Sequence, residues 1–153
     1  MAYNPQNPNG QALMTGSTPV VVASNQSTIK TSIQETSTGG ANIHHYVSLS
    51  GVNQQVITSS PARITGWYIY NDSLNVRRIS FYDNTSVQSV GSISGGFKFS
   101  VVIPSSAGAN CSFPGGISFN TGITYNVGTT VSSTGTTSPT VDNELSINIF
   151  YKD

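Results

Sequence analysis

"ELSINIFYK", residues 144–152, alternates without a break. Leu145, Ile147, Ile149 and Tyr151 fall on one side, and Ser146, Asn148 and Phe150 on the other. A period of two with β-branched residues at the repeating positions describes a strand with one face in a core. The same reading extends upstream. "FKFSVVIP" (97–104) aligns Phe97, Phe99, Val101 and Ile103 opposite Lys98, Ser100 and Val102. "NIHHYVSLS" (42–50) sets Ile43, His45, Val47 and Leu49 against Asn42, His44, Tyr46 and Ser48, and the first, more apolar set is expected inside. Shorter runs are "QQVIT" (54–58), "VRRISFYD" (76–83), "ANCSF" (109–113), "GISF" (116–119) and "ITYNV" (123–127). With "ARITGWYIYND" (62–72) they make roughly eight or nine strands between Gly-, Asn-, Ser- and Pro-rich turns, and no segment repeats every 3.6 residues. Residues 41–153 therefore read as an all-β body, a jelly-roll-like β-sandwich or barrel.

One strand breaks the alternation. In 64–70, Ile64, Tyr68 and Tyr70 fall on one side while Trp67 and Ile69 fall on the other. A strand apolar on both sides needs two covers. The second cover is either a loop folded over the sheet or a neighbouring subunit, since Trp and Tyr are enriched at interfaces. Trp67, Tyr68, Ile69 and Tyr70 are thus a candidate subunit interface.

Composition narrows the function. Charged residues are 8% of the chain and balance to zero, against about 25% in an ordinary soluble domain. There is no basic stripe to hold a nucleic acid. No apolar run approaches the ~18 residues of a membrane span. The N-terminal "MAYNPQNPNGQALM" lacks the basic and apolar regions of a secretory signal, so synthesis in the cytoplasm is expected. Cys111 is the single cysteine, and its alternation with Phe113 suggests a buried, inert thiol.

Residues 1–40 differ from the rest. Their only charges are Lys30 and Glu35, and no aromatic follows Tyr3. Such a segment cannot offset an ordering cost of about 1–2 kcal/mol per residue by burial alone. It is expected to be an extended arm. Yet it contains "STPVVVASNQSTI" (17–29), where Val20, Val21 and Val22 follow Pro19. Stiff β-branched residues in that density favour an extended strand. A strand without an apolar neighbourhood of its own finds its partner on another protein, by adding to an open sheet edge. The contact residues on this reading are Pro19, Val20, Val21, Val22, Ala23, Ser24, Asn25, Gln26 and Ser27. Two low-complexity stretches, 85–96 and 128–140, are expected as exposed loops.

No catalytic constellation emerges. Asp142 and Glu144 share one side of a strand, whereas glycoside hydrolysis needs two carboxylates facing each other about 5–10 Å apart. His44 and His45 are adjacent on a strand and point to opposite faces, so they cannot chelate one ion together. "GSISG" (91–95) has Ile93 at its centre where a nucleophile elbow needs Ser. "SGGFKF" (94–99) lacks the spacing of a phosphate loop. We expect no enzyme, no metal and no cofactor.

"STPVVVASNQS" (17–27) is similar to an arm motif, S-x-P-V-V-x-A-S-x-Q-S, of virion proteins of tailed bacteriophages. Where that motif often carries an acid, this chain has Asn25. "ARITGWYIYND" (62–72), "ISFYDN" (79–84) and "FPGGISFNTGITYNV" (113–127) resemble a small β domain from the same setting. The resemblance spans roughly residues 17–29 and 61–127. It implies a homotrimeric head decoration (cement) protein of the virion, with the major capsid protein or a neighbouring virion subunit as partner. The rival class is a carbohydrate-binding adhesin of a head or tail fibre, with Trp67, Tyr68, Tyr70 or Tyr82 stacking on sugar rings. The position of Trp67 separates the two: inside the body it favours decoration, and on a distal surface it favours the adhesin.

Overall fold

The computed structural model describes residues 40–153. Eight strands follow in chain order: β1 (Asn42–Val47), β2 (Gln54–Thr58), β3 (Ala62–Asn71), β4 (Arg77–Asp83), β5 (Phe97–Ile103), β6 (Ala107–Phe119), β7 (Ile123–Gly128) and β8 (Leu145–Lys152). There is no helix among the described residues. The strands form two four-stranded sheets, β1-β8-β3-β6 and β2-β7-β4-β5, in which every pairing is antiparallel. "ANCSF" and "GISF" are two parts of one strand, β6.

The alternation in β8 holds. Leu145, Ile147 and Ile149 are fully buried, while Ser146, Asn148 and Phe150 are only partly covered. These isoleucines meet Ile64, Trp67 and Ile69 from β3, Ile79 and Phe81 from β4, and Ile123, Tyr125 and Val127 from β7. The core is therefore the layer between the two sheets. Its centre is aromatic: the Trp67 ring lies 6.2 Å from Phe81, 5.9 Å from Phe99 and 5.1 Å from Phe113, centroid to centroid.

The irregularity in β3 is a bulge. Its register against both β6 and β8 slips between Ile64 and Gly66, leaving Thr65 as an extra residue whose hydroxyl donates to the Phe150 carbonyl at 3.2 Å. An inserted residue inverts the phase of everything beyond it. Ile64 consequently lies on the same inner side as Trp67 and Ile69, and not with Tyr68 and Tyr70 as strict alternation implies. The bulge also needs its glycine, because a Cβ at Gly66 would sit 2.7 Å from the Cys111 carbonyl oxygen.

Strand β1 reverses the expected orientation. His44 and Tyr46 turn inward and are half-buried, Ser48 just beyond the strand is buried, and Ile43, Val47 and Leu49 are exposed. The polar set can face inward because each member meets a hydrogen-bonding partner there. His44 Nε2 lies 3.2 Å from the Tyr125 hydroxyl, the Tyr46 hydroxyl donates to Asn53 Oδ1 at 3.0 Å, and Ser48 Oγ accepts from the Leu145 N–H at 2.9 Å.

The low-complexity stretches are also not free loops. They fold over the outer face of β2-β7-β4-β5. The Tyr82 hydroxyl donates to the Ser92 carbonyl, and the Asn126 amide donates to the carbonyls of Gln88 and Ser89. Arg78 is fully buried; its guanidinium donates to Ser80 Oγ (3.1 Å) and to the carbonyls of Thr130 (3.3 Å) and Gly135 (3.0 Å). Beneath these covers β7 is buried along its whole length, and β4 is buried up to Tyr82.

Candidate functional site

Because one sheet is roofed by its own loops, the outer face of the other is the distinctive surface of the body. Register places its residues in rows across β1, β8, β3 and β6. One row is Ile43, Phe150, Gly66, Ser112; the next is His45, Asn148, Tyr68, Asn110; the third is Val47, Ser146, Tyr70, Gly108. No side chain in these three rows is charged. The nearest cations on the face, Arg63 and Lys152, begin the adjoining row. Antiparallel sheets that face water are ordinarily polar on that side. Here Ile43 is 64% exposed and Tyr68 50%, with Val47 and Tyr70 also exposed.

The middle row is braced internally. His45 Nδ1 donates to Asn148 Oδ1 at 2.9 Å, and Asn148 Nδ2 donates to the Tyr68 carbonyl at 3.4 Å. Both polar atoms of the central amide are thus engaged within the face. At one end, a cleft of about 340 Å³ is bordered by Thr65, Gly66, Ser112, Pro114, Phe150 and Lys152.

Of the candidate interface residues, Trp67 and Ile69 belong to the core, and Tyr68 and Tyr70 stand on the outer face. The arm contacts at 19–27 lie outside the described residues. Phe150, opposite the core side of β8 as its alternation implies, completes the outer face together with Ile43 and Val47, which were expected inside. The period of two separates the sides of a strand without saying which side faces the core. His45, expected to be semi-buried among apolar neighbours, is exposed. Cys111 keeps the parity of Phe113 yet is exposed, because β6 is the outermost strand of its sheet.

The acids have structural partners. Glu144 is held by Arg77, Asp142 accepts from the Ser50 N–H at 2.6 Å, and Asp153 accepts from the Asn42 side-chain amide at 2.7 Å. Asp83 accepts from the N–H groups of Asn120 and Thr121 at 2.9 and 2.7 Å and lies 3.3 Å from Lys98 Nζ. Desolvation would raise its pKa, but these donors outweigh it and hold the carboxyl below the usual range. Burial, with a smaller contribution from His45, lowers the His44 imidazole. Burial raises the Tyr125 phenol, with Tyr46 adding to it, and lowers Arg78. Among the described residues no group of three His, Cys, Asp or Glu side chains could hold a metal ion, and no helix is long and apolar enough to cross a membrane. No protein-family model, curated protein or solved structure matches this chain.

Proposed function

We propose that the chain is a structural protein of a tailed-bacteriophage particle, made in the host cytoplasm. It acts as a trimeric decoration (cement) protein, not an enzyme, and attaches to the major capsid protein or a neighbouring virion subunit through residues 17–29. The observation that carries this choice over the adhesin is the burial of Trp67, only 8% exposed among Phe81, Phe99 and Phe113. The side chain best suited to stack on a sugar is unavailable for it. The strand order supports a jelly roll: the first strand lies beside the last in one sheet and the second beside the seventh in the other. Double-sheet jelly rolls occur in both capsid and lectin domains, so the architecture fits the reading without selecting it. The neutral, charge-poor surface fits neither a nucleic acid nor an anionic membrane as partner.

Attachment through an arm has a definite energetic shape. Ordering about ten residues costs roughly 10–20 kcal/mol, more than a few buried valines return at about 1.5–3 kcal/mol each. Backbone ladder bonds and the effective concentration of several arms on one oligomer supply the remainder. The test is deletion of residues 1–30. The shortened protein keeps its melting temperature and no longer binds phage particles stripped of the native protein. Val21→Asp in the full chain weakens binding, since a carboxylate buried in a ladder costs several kcal/mol. Full occupancy by the shortened protein would refute the mechanism.

The carbohydrate-binding reading retains one favourable observation, the exposure of Tyr68 and Tyr70 on a flat uncharged face. It predicts saturable binding of oligosaccharides that Tyr68→Ala abolishes.

A further inference from the structure

We infer that the outer face of β1-β8-β3-β6 is a self-association surface, and that its occupant is a second copy of this chain. The inference goes beyond the trimer of the reading above: identical faces that meet pair two copies about a twofold axis.

Three observations converge on it. The first is composition. Ile43, Val47, Leu49, Tyr68 and Tyr70 are all exposed on or beside one face, with half-buried Phe150 among them and no charge in the three central rows. Aromatic enrichment with depletion of charge marks the centre of an interface. Arg63 and Lys152 in the adjoining row supply the polar rim.

The second is hydrogen bonding. Burying a polar group is costly when its partner is water and cheap when its partner travels with it. Asn148 has both amide atoms committed, one to His45 and the other to the Tyr68 carbonyl. Dehydrating the most polar row therefore leaves a single N–H of its central amide for a partner to satisfy.

The third concerns who the occupant is. An uncharged face selects no partner of either sign, and two identical uncharged faces meet without like-charge repulsion. The chain's own charges balance to zero, so copies gain no long-range separation from each other. Geometry sets the strength. Four strands by three rows span about 19 by 20 Å, roughly 400 Å² in projection. That is about half of the ~800 Å² per partner of a standard interface. Association through this face is accordingly concentration-dependent.

Sedimentation velocity of the full chain, from low micromolar to near-millimolar concentration, tests this. The unaltered protein shifts from monomer to oligomer across the range. Tyr68→Arg and Val47→Arg each weaken association by about tenfold or more. Their circular dichroism and melting temperature stay unchanged, since both side chains lie outside the core. Val56→Arg, on the other sheet and also exposed, associates like the unaltered protein. A monomer at every concentration overturns the inference, and so does an oligomer that persists in both face variants. Monomers that instead bind an oligosaccharide through Tyr68 overturn it in favour of a sugar. The readout needs no phage particle, so the attachment assay can fail independently.

Discussion

The Arg77 guanidinium grips the Glu144 carboxylate in a fork. Nε lies 2.9 Å from Oε2, and Nη2 lies 2.6 and 2.7 Å from Oε1 and Oε2. Both side chains are nearly buried, at 5% and 10% exposure. Arg77 opens β4 in one sheet and Glu144 immediately precedes β8 in the other, so the pair ties the two sheets at one end. Removing either member leaves a buried charge without its counterion. Glu144→Ala is expected to cost about 3 kcal/mol in urea unfolding. Arg77→Met combined with Glu144→Leu recovers most of that loss, because the desolvation cost disappears together with the attraction. A double variant as unstable as the sum of its parts would show that the two side chains are not coupled.

Arg78 performs a different task from its neighbour. Its buried guanidinium donates not to a carboxylate but to Ser80 and to the carbonyls of Thr130 and Gly135. Arg78→Lys cannot reproduce a planar fork that reaches all three. The variant loses about 2–3 kcal/mol, and the 129–137 segment becomes the first site cut in limited proteolysis. Equal protease resistance in variant and parent would show that this segment is held by other contacts.

His44 gives the body an acid-sensitive element. Burial lowers its folded pKa below the ordinary 6.5. The unfolded chain therefore binds the proton more readily than the folded one. Stability from the neutral imidazole is fully present above about pH 6.5 and declines as pH falls below it, levelling off under the folded value. His44→Phe flattens that part of the stability curve in urea titrations run at successive pH values. An unchanged slope in the variant would assign the acid response to carboxylates such as Asp83, whose contribution is lost only at lower pH.

Trp67 is the single tryptophan and reports on the core directly. Its emission is expected to be blue-shifted and poorly quenched by iodide, and to stay so in the presence of oligosaccharides. Trp67→Ala empties the space between Phe81, Phe99 and Phe113 and costs about 3–5 kcal/mol in thermal or urea unfolding. An exposed, readily quenched indole would restore the sugar-stacking reading.

How far these features could be read beforehand depended on whether the deciding contact was local. The strands at 97–103, 123–127 and 145–152 were legible because alternation is a property of consecutive residues. The orientation of β1 was not. His44 and Tyr46 face inward only because Tyr125 and Asn53 offer them partners, and Tyr125 comes from a strand 81 residues away. The phase of β3 was misread at one residue, Thr65, since a bulge inserts no distinctive side chain and is visible only in the pairing of two neighbouring strands. Residues 85–96 and 128–140 looked like solvated loops because Ser, Thr and Gly say nothing about their carbonyls. Those carbonyls are what Asn126, Tyr82 and Arg78 bind. The outer face was legible in part, through Tyr68, Tyr70 and Phe150, and became complete only when register set Ile43 and Val47 beside them.

The strand order also dictates when the body can form. Only β4 and β5 are neighbours both in the chain and in a sheet; every other pairing joins strands separated along the sequence. The Leu145 N–H bonds the hydroxyl of Ser48, 97 residues earlier. At a synthesis rate of about 5–20 residues per second, β1 waits roughly 5–20 s before β8 exists to receive it. Through that interval Ile43 and Val47 stand on an unpaired strand that has no proline, no charge and no bulge to discourage a foreign one. Translation speed therefore sets how long β1 stands without its native partner, open to pairing with a neighbouring copy.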